Sequence, residues 1–108
     1  MYKRGTIVLV PFPFTDLSGG KVRPALIISK EKSSDVIVVF ITSKIKTAGV
    51  KSLVVLHPNE ENGIKVKSGI ICDKIATLDK KVILGELGYI SEFDQANVDK
   101  MLKKVLGL

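Results

Sequence analysis

The sequence predicts a mainly β fold: a small, strongly twisted antiparallel sheet or half-open barrel, with one helix packed on it at the C-terminus. Three observations predict this. Short runs rich in Val, Ile and Leu follow one another from residue 6 to residue 90, separated by polar turns. Helical periodicity begins only after Ser91. The links between strands are too short for crossover helices, which favours antiparallel pairing.

Residues 6–10, TIVLV, are β-branched and aliphatic and read as the first strand. Pro11 and Pro13 end it or set it at an edge. Phe12 and Phe14 alternate with those prolines, and Thr15, Asp16, Ser18, Gly19 and Gly20 supply a long turn. Residues 24–29, PALIIS, form the second strand, and KEKSSD turns the chain. Residues 36–43, VIVVFITS, are almost continuously apolar, so this strand is expected to be central and covered on both faces. KIKTAG links it to a fourth strand at 52–57, SLVVLH. PNEENG is a turn by composition. Residues 64–68 alternate Ile and Val with Lys and predict a short edge strand. GIICDKI, 69–75, is a further strand, TLDKK a turn or short helical step, and residues 82–90 a last, glycine-bearing strand. Ser91 followed by Asp94 resembles a capping box. Val98, Met101, Leu102, Val105 and Leu106 recur at helical spacing, and Lys100, Lys103 and Lys104 suit a helix C-terminus, so residues 92–106 are predicted helical.

Composition narrows the function classes. The chain has 108 residues, 45% of them hydrophobic and 26% charged, which is enough for one compact core and argues against disorder. A single domain, 1–108, is expected, with no repeat and no low-complexity segment. No apolar run approaches the roughly 20 residues of a membrane span. Prolines interrupt the N-terminal apolar segment and no small-residue cleavage site follows, so it reads as the first strand of a cytoplasmic protein. One cysteine, Cys72, cannot form an internal disulfide. One histidine, His57, without a second His or Cys cluster, argues against a zinc site, and no cofactor is expected. The net charge of +6 suits a polyanion or an acidic protein partner; it equally serves solubility.

Several residues can carry chemistry. Arg23 lies between Val22 and Pro24, and the proline biases it towards extended backbone. A guanidinium at the foot of a glycine-bearing loop is suited to gripping a phosphate with two hydrogen bonds, although an arginine taken alone is more often solvated or paired with an acid such as Asp16. Thr42 and Ser43 end the most hydrophobic strand. Their hydroxyls can donate to phosphate oxygens, or simply cap a turn. Asp73 and Lys74 interrupt an apolar strand; alternation predicts that they face opposite sides, so at most one belongs to any pocket. Asp73 can accept a proton, hold Arg23, or be an ordinary paired charge. His57 precedes a proline turn and has no catalytic companion. Cys72 reads as a small core residue. Phe12 and Phe14 can stack on bases or seal the end of a barrel.

The arrangement of RGTIVLVPFPFTD, GGKVRPALIIS, VVFITS and IICDKIATLDK, followed by a terminal helix, resembles the MazF/PemK (Kid-like) family of toxin endoribonucleases over nearly the whole chain. The resemblance implies an SH3-like, half-open antiparallel barrel of the MazF/CcdB toxin type. It implies a homodimer, metal-independent cleavage of single-stranded RNA at short motifs with inhibition of translation, and a cognate acidic antitoxin (MazE-like). It places the key arginine on Arg23 and the key threonine on Thr42, with Ser43 and Asp73 at positions used by some members. It assigns RNA contacts to the first loop, with Phe12, Phe14, Thr15, Asp16 and Lys21, and to Lys44 and Lys74. The chain departs from some relatives in carrying Ile71 before the Cys–Asp pair and Asp16 as the sole acid of the first loop, so the proton acceptor stays open. The implied mechanism uses the 2′-hydroxyl of RNA as nucleophile and leaves 2′,3′-cyclic phosphate and 5′-hydroxyl ends. The competing class is a barrel that binds nucleic acid or protein without cutting, including a gyrase-poisoning toxin.

Overall fold

The computed structural model describes residues 2–11, 21–30, 34–45 and 52–108. Among the described residues, six strands make one sheet: β1 (Thr6–Pro11), β2 (Val22–Ile27), β3 (Asp35–Thr42), β4 (Leu53–Leu56), β5 (Ser68–Asp79) and β6 (Gly85–Tyr89). A short 3₁₀ turn, Lys80–Val82, precedes β6, and one long helix, α1 (Glu92–Leu106), follows it. The strand order is β4-β5-β3-β2-β1-β6, and every pairing is antiparallel.

β3 is central, and both of its faces are covered, as its unbroken apolar run predicts. Val39 and Ile41 belong to one core cluster, with Ile7, Leu26, Ile70, Val98 and Leu102. Val36, Val38 and Phe40 belong to a second on the opposite face, with Val8, Val10, Ala25 and Ile27. α1 covers the first cluster: Val98 and Leu102 are buried, and Met101 and Val105 pack beside them. The Ser91 hydroxyl accepts the Asp94 amide at 3.1 Å, so the predicted cap forms. Gly107 ends the helix in the left-handed conformation at φ 72°, which glycine adopts without a Cβ penalty. Arg4 ties the helix to the sheet, donating to the Ile28 carbonyl at 2.7 Å and to the Asp99 carboxylate at 2.6 Å.

Three readings of the sequence are corrected. Residues 64–68 do not form an edge strand: Ile64 turns into the core, and Val66 is exposed beside Lys65 and Lys67. The strand expected to stop at Ile75 runs on to Asp79, because its second half pairs with the outer residues of β3. β2 starts at Val22, two residues early, so Arg23 lies within a strand opposite Val10 of β1.

The half-barrel is closed by the segment that follows β4. Its sequence, Pro58-Asn-Glu-Glu-Asn-Gly63, folds on itself. The Asn59 side chain accepts the amides of Glu61 and Asn62, and the fully buried Asn62 side chain accepts those of Asn59 and Ile64 and donates to the His57 carbonyl. The turn then docks on β6, where the Tyr89 amide donates to the Glu61 carbonyl at 2.9 Å. The approach is so close that a Cβ on Gly88 would lie 2.0 Å from the Glu61 carbonyl oxygen. Gly63 sits at φ +68° against the Leu87 carbonyl. Thus a chain segment leaving one end of the sheet covers the edge strand at the other.

Candidate active site

The site originates at Pro24. β2 and β3 pair from Ile27–Val38 to Ala25–Phe40, and there the ladder ends. Continued, the same register would set Pro24 opposite Ile41 and Arg23 opposite Thr42. Proline has no amide proton to give to β3, and on its other side it remains opposite Leu9 of β1. On its other edge β3 stays paired with β5, Ile41 opposite Ile70 and Thr42 opposite Gly69. The sheet therefore parts between β2 and β3, and a cleft of about 260 Å³ opens there.

Arg23, Pro24, Ile41, Thr42, Ser43 and Lys44 line one wall of this cleft. Gly63, Ile64, Lys65 and Val66, on the segment that closes the barrel, line the other. Leu9, Leu87 and Ser68 complete the lining. The floor is apolar and the rim carries three cationic side chains. The Thr42 hydroxyl oxygen accepts the Lys44 amide at 3.0 Å, which turns the chain after β3 and leaves the hydroxyl proton to donate. Ser68 fastens the far wall: its buried hydroxyl donates to the Val66 carbonyl at 2.8 Å.

The structure thus brings Arg23, Thr42, Ser43 and Lys44 to one cavity. Asp73 and Lys74 are exposed and are not among its lining residues. They sit where the β3–β5 register shifts, between the pairs Val39–Ile75 and Phe40–Ile71, so three residues of β5 have no partner on β3. Strict alternation cannot be carried across such a bulge. Lys21 is exposed just before β2 and is likewise outside the lining. Phe12, Phe14, Thr15 and Asp16 lie outside the described residues.

Two other candidates resolve as structure. Cys72 is fully buried, and burial, with the nearby Asp73 charge adding to it, pushes its thiol up to about 11. A thiol held neutral in this way is a core group rather than a nucleophile. His57 has an exposed side chain, and its carbonyl accepts the Asn62 side chain. Among the described residues, no group of three or more His, Cys, Asp or Glu is gathered to hold a metal ion, and no helix is long and apolar enough to cross a membrane. Lys65, Val66 and Ser68 were not singled out by the sequence. The one local signal was the pair of asparagines three apart ahead of a glycine, a pattern that builds side-chain-closed turns.

A family model described as PemK-like, MazF-like toxin of type II toxin-antitoxin system matches residues 3–106. The chain belongs to this family. The solved structures that resemble the chain include toxins of the MazF type and proteins named as endoribonucleases. MazF from Deinococcus radiodurans is 23% identical, with a TM-score of 0.76 over 99% of this chain and 97% of that one. The MazE–MazF structure from the same organism gives a TM-score of 0.78 at 23% identity, over 99% of this chain and 96% of that one. An endoribonuclease in complex with its cognate antitoxin, from a mycobacterial species, gives 0.74 at 21% identity, over 99% and 94%. The chain therefore shares the half-barrel and C-terminal helix of these structures at low sequence identity.

Proposed function

We propose that this chain is the toxin of a type II toxin–antitoxin pair and cuts single-stranded RNA at short sequence motifs, without a metal, so as to stop translation. The observation that carries the reading is the parting of β2 and β3 at Pro24, which leaves Arg23 and Thr42 lining the same cleft. An RNA strand held there brings its own nucleophile. Its 2′-hydroxyl attacks the adjacent phosphorus once the backbone is in line; the bond to the 5′-oxygen breaks, and the products carry a 2′,3′-cyclic phosphate and a 5′-hydroxyl.

Arg23 stabilises the charge that builds on the phosphoryl oxygens, and the Thr42 hydroxyl donates to one non-bridging oxygen. A guanidinium is too weak an acid to give up its proton readily, so water takes the proton of the attacking 2′-hydroxyl and water supplies one to the leaving 5′-oxygen, with no net proton change. Ser43 is a second donor at the same rim, and Lys44 holds the backbone. Asp73 and Lys74 are outside the cleft lining, and this step assigns them no role. The reading includes a homodimer in the cytoplasm and an acidic antitoxin that competes with RNA for the same basic surface; the net charge of +6 suits both partners.

The test is incubation of the pure protein with mixed-sequence RNA in EDTA. Discrete fragments ending in 5′-hydroxyls are expected. Intact RNA that is nevertheless bound would replace the nuclease with a binding module.

A further inference from the structure

Beyond Arg23 and Thr42, the far wall of the cleft is built to be rigid, and it presents an unusual pair. Lys65 is exposed, and Val66 is 55% exposed although it is a β-branched apolar residue; both line the cleft. They follow a turn locked from within by Asn62, whose side chain makes three hydrogen bonds. The turn is wedged against β6 by the two glycine contacts. Ser68 anchors the backbone on their other side through the Val66 carbonyl. Loop residues with no regular secondary structure are thus pinned at both ends.

We infer that Lys65 and Val66 form a subsite for a nucleotide beside the scissile one, Lys65 gripping its phosphate and Val66 meeting the face of its base. This rests on the RNA-cleaving reading above and adds a division of labour to it. The β2–β3 wall acts on the phosphate that reacts. The loop wall sets which nucleotide sits next to it. Phosphate contacts position a strand without reading it, whereas any preference among nucleotides must come from contacts to the bases. An apolar side chain left in water beside a cation gains from a base packed against it; every base offers such a face, so the preference it adds comes from differences in stacking strength and is modest. The two residues therefore affect different observables: Lys65 is a positioning residue and Val66 a specificity residue.

The test uses binding, so that it does not depend on cutting. Labelled 2′-O-methyl oligo-U, oligo-A and oligo-C cannot self-attack, and their affinities are measured across a salt series. Lys65→Gln should weaken all three alike, about threefold to tenfold, and reduce the slope of log affinity on log salt by about 0.7, the share of one phosphate on a single strand. Lys65→Arg should restore both. Val66→Ser should leave the slope unchanged and alter the ratio of the three affinities by about threefold or more. Unchanged slopes in Lys65→Gln, or unchanged ratios in Val66→Ser, would overturn the subsite. A wild-type protein that binds these oligomers but cuts no RNA would overturn the nuclease reading and, with it, the placing of the subsite beside a scissile nucleotide, leaving Lys65 and Val66 as RNA contacts only if both variants behave as stated. A wild-type protein that binds none of them would overturn both.

Discussion

The two walls of the cleft are made by opposite means. The β2–β3 wall exists because hydrogen bonding stops: a proline ends the ladder, and Arg23 and Thr42 are left facing the gap. The loop wall exists because hydrogen bonding closes on itself around Asn62 and then locks onto β6. One wall carries reactive groups on a regular scaffold. The other is irregular in backbone and is held by buried polar contacts and close glycine approaches. Function and stability should therefore separate when each wall is altered.

The largest effect is expected at Arg23. Arg23→Ala should lower RNA turnover by roughly 10²-fold or more, the loss typical of removing one transition-state donor, while the thermal unfolding midpoint stays close to that of the wild type. Cleavage at a near-normal rate would remove Arg23 from the chemistry and with it the contrast between the walls. The next effect is expected at Gly88. Gly88→Ala puts a methyl group into the Glu61 carbonyl, a backbone atom with little freedom to move. It should cost about 3 kcal/mol, the upper range for overpacking, read as a drop in the denaturant midpoint with the transition still cooperative. An unchanged midpoint would show that the turn can lift off β6, and that the loop wall is not rigid.

The smallest effect lies away from both walls, at Asp99. Burial raises the pKa of its carboxyl, but the hydrogen bonds from Arg4 and Gln95 and the charges of Arg4 and Lys103 outweigh that and hold it below the ordinary carboxylate value. A carboxylate depressed in the folded state contributes stability above its unfolded pKa of about 3.9, and that stability is lost as pH falls through the lower folded value. The pair is partly exposed, so screening keeps the contribution under about 1 kcal/mol. The acid limb of a pH–stability curve should flatten slightly in Arg4→Ala, with no change in the dependence between pH 6 and 8.

Much of this was legible in the chain itself, and the limits are instructive. The helix was readable from Ser91 to Leu106 because its signals are local: a capping serine, periodic apolar residues and lysines towards its C-terminal end. The centrality of β3 was readable because only a strand covered on both faces tolerates VIVVFIT. Arg23 and Thr42 were marked by type and by resemblance, but their meeting depends on a register that no local pattern specifies. The β5 bulge hid the position of Asp73 and Lys74 because period-two reasoning assumes an unbroken ladder. The alternation of Ile64, Val66, Lys65 and Lys67 suggested a strand, yet the docking of Glu61–Gly63 on β6 decided that stretch, and that contact joins residues more than twenty apart. The loop wall escaped notice for the same reason: its residues become a wall only when the barrel closes.

The most direct test of the central claim takes an RNA whose cleavage point has been mapped with the pure protein and replaces one 2′-hydroxyl, at the nucleotide just 5′ of that point, with hydrogen. If the RNA supplies the nucleophile, cutting at that bond should stop while binding and cutting elsewhere persist. Continued cleavage of the deoxy-substituted bond would mean that water or a protein group attacks, and would contradict the account of how Arg23 and Thr42 act.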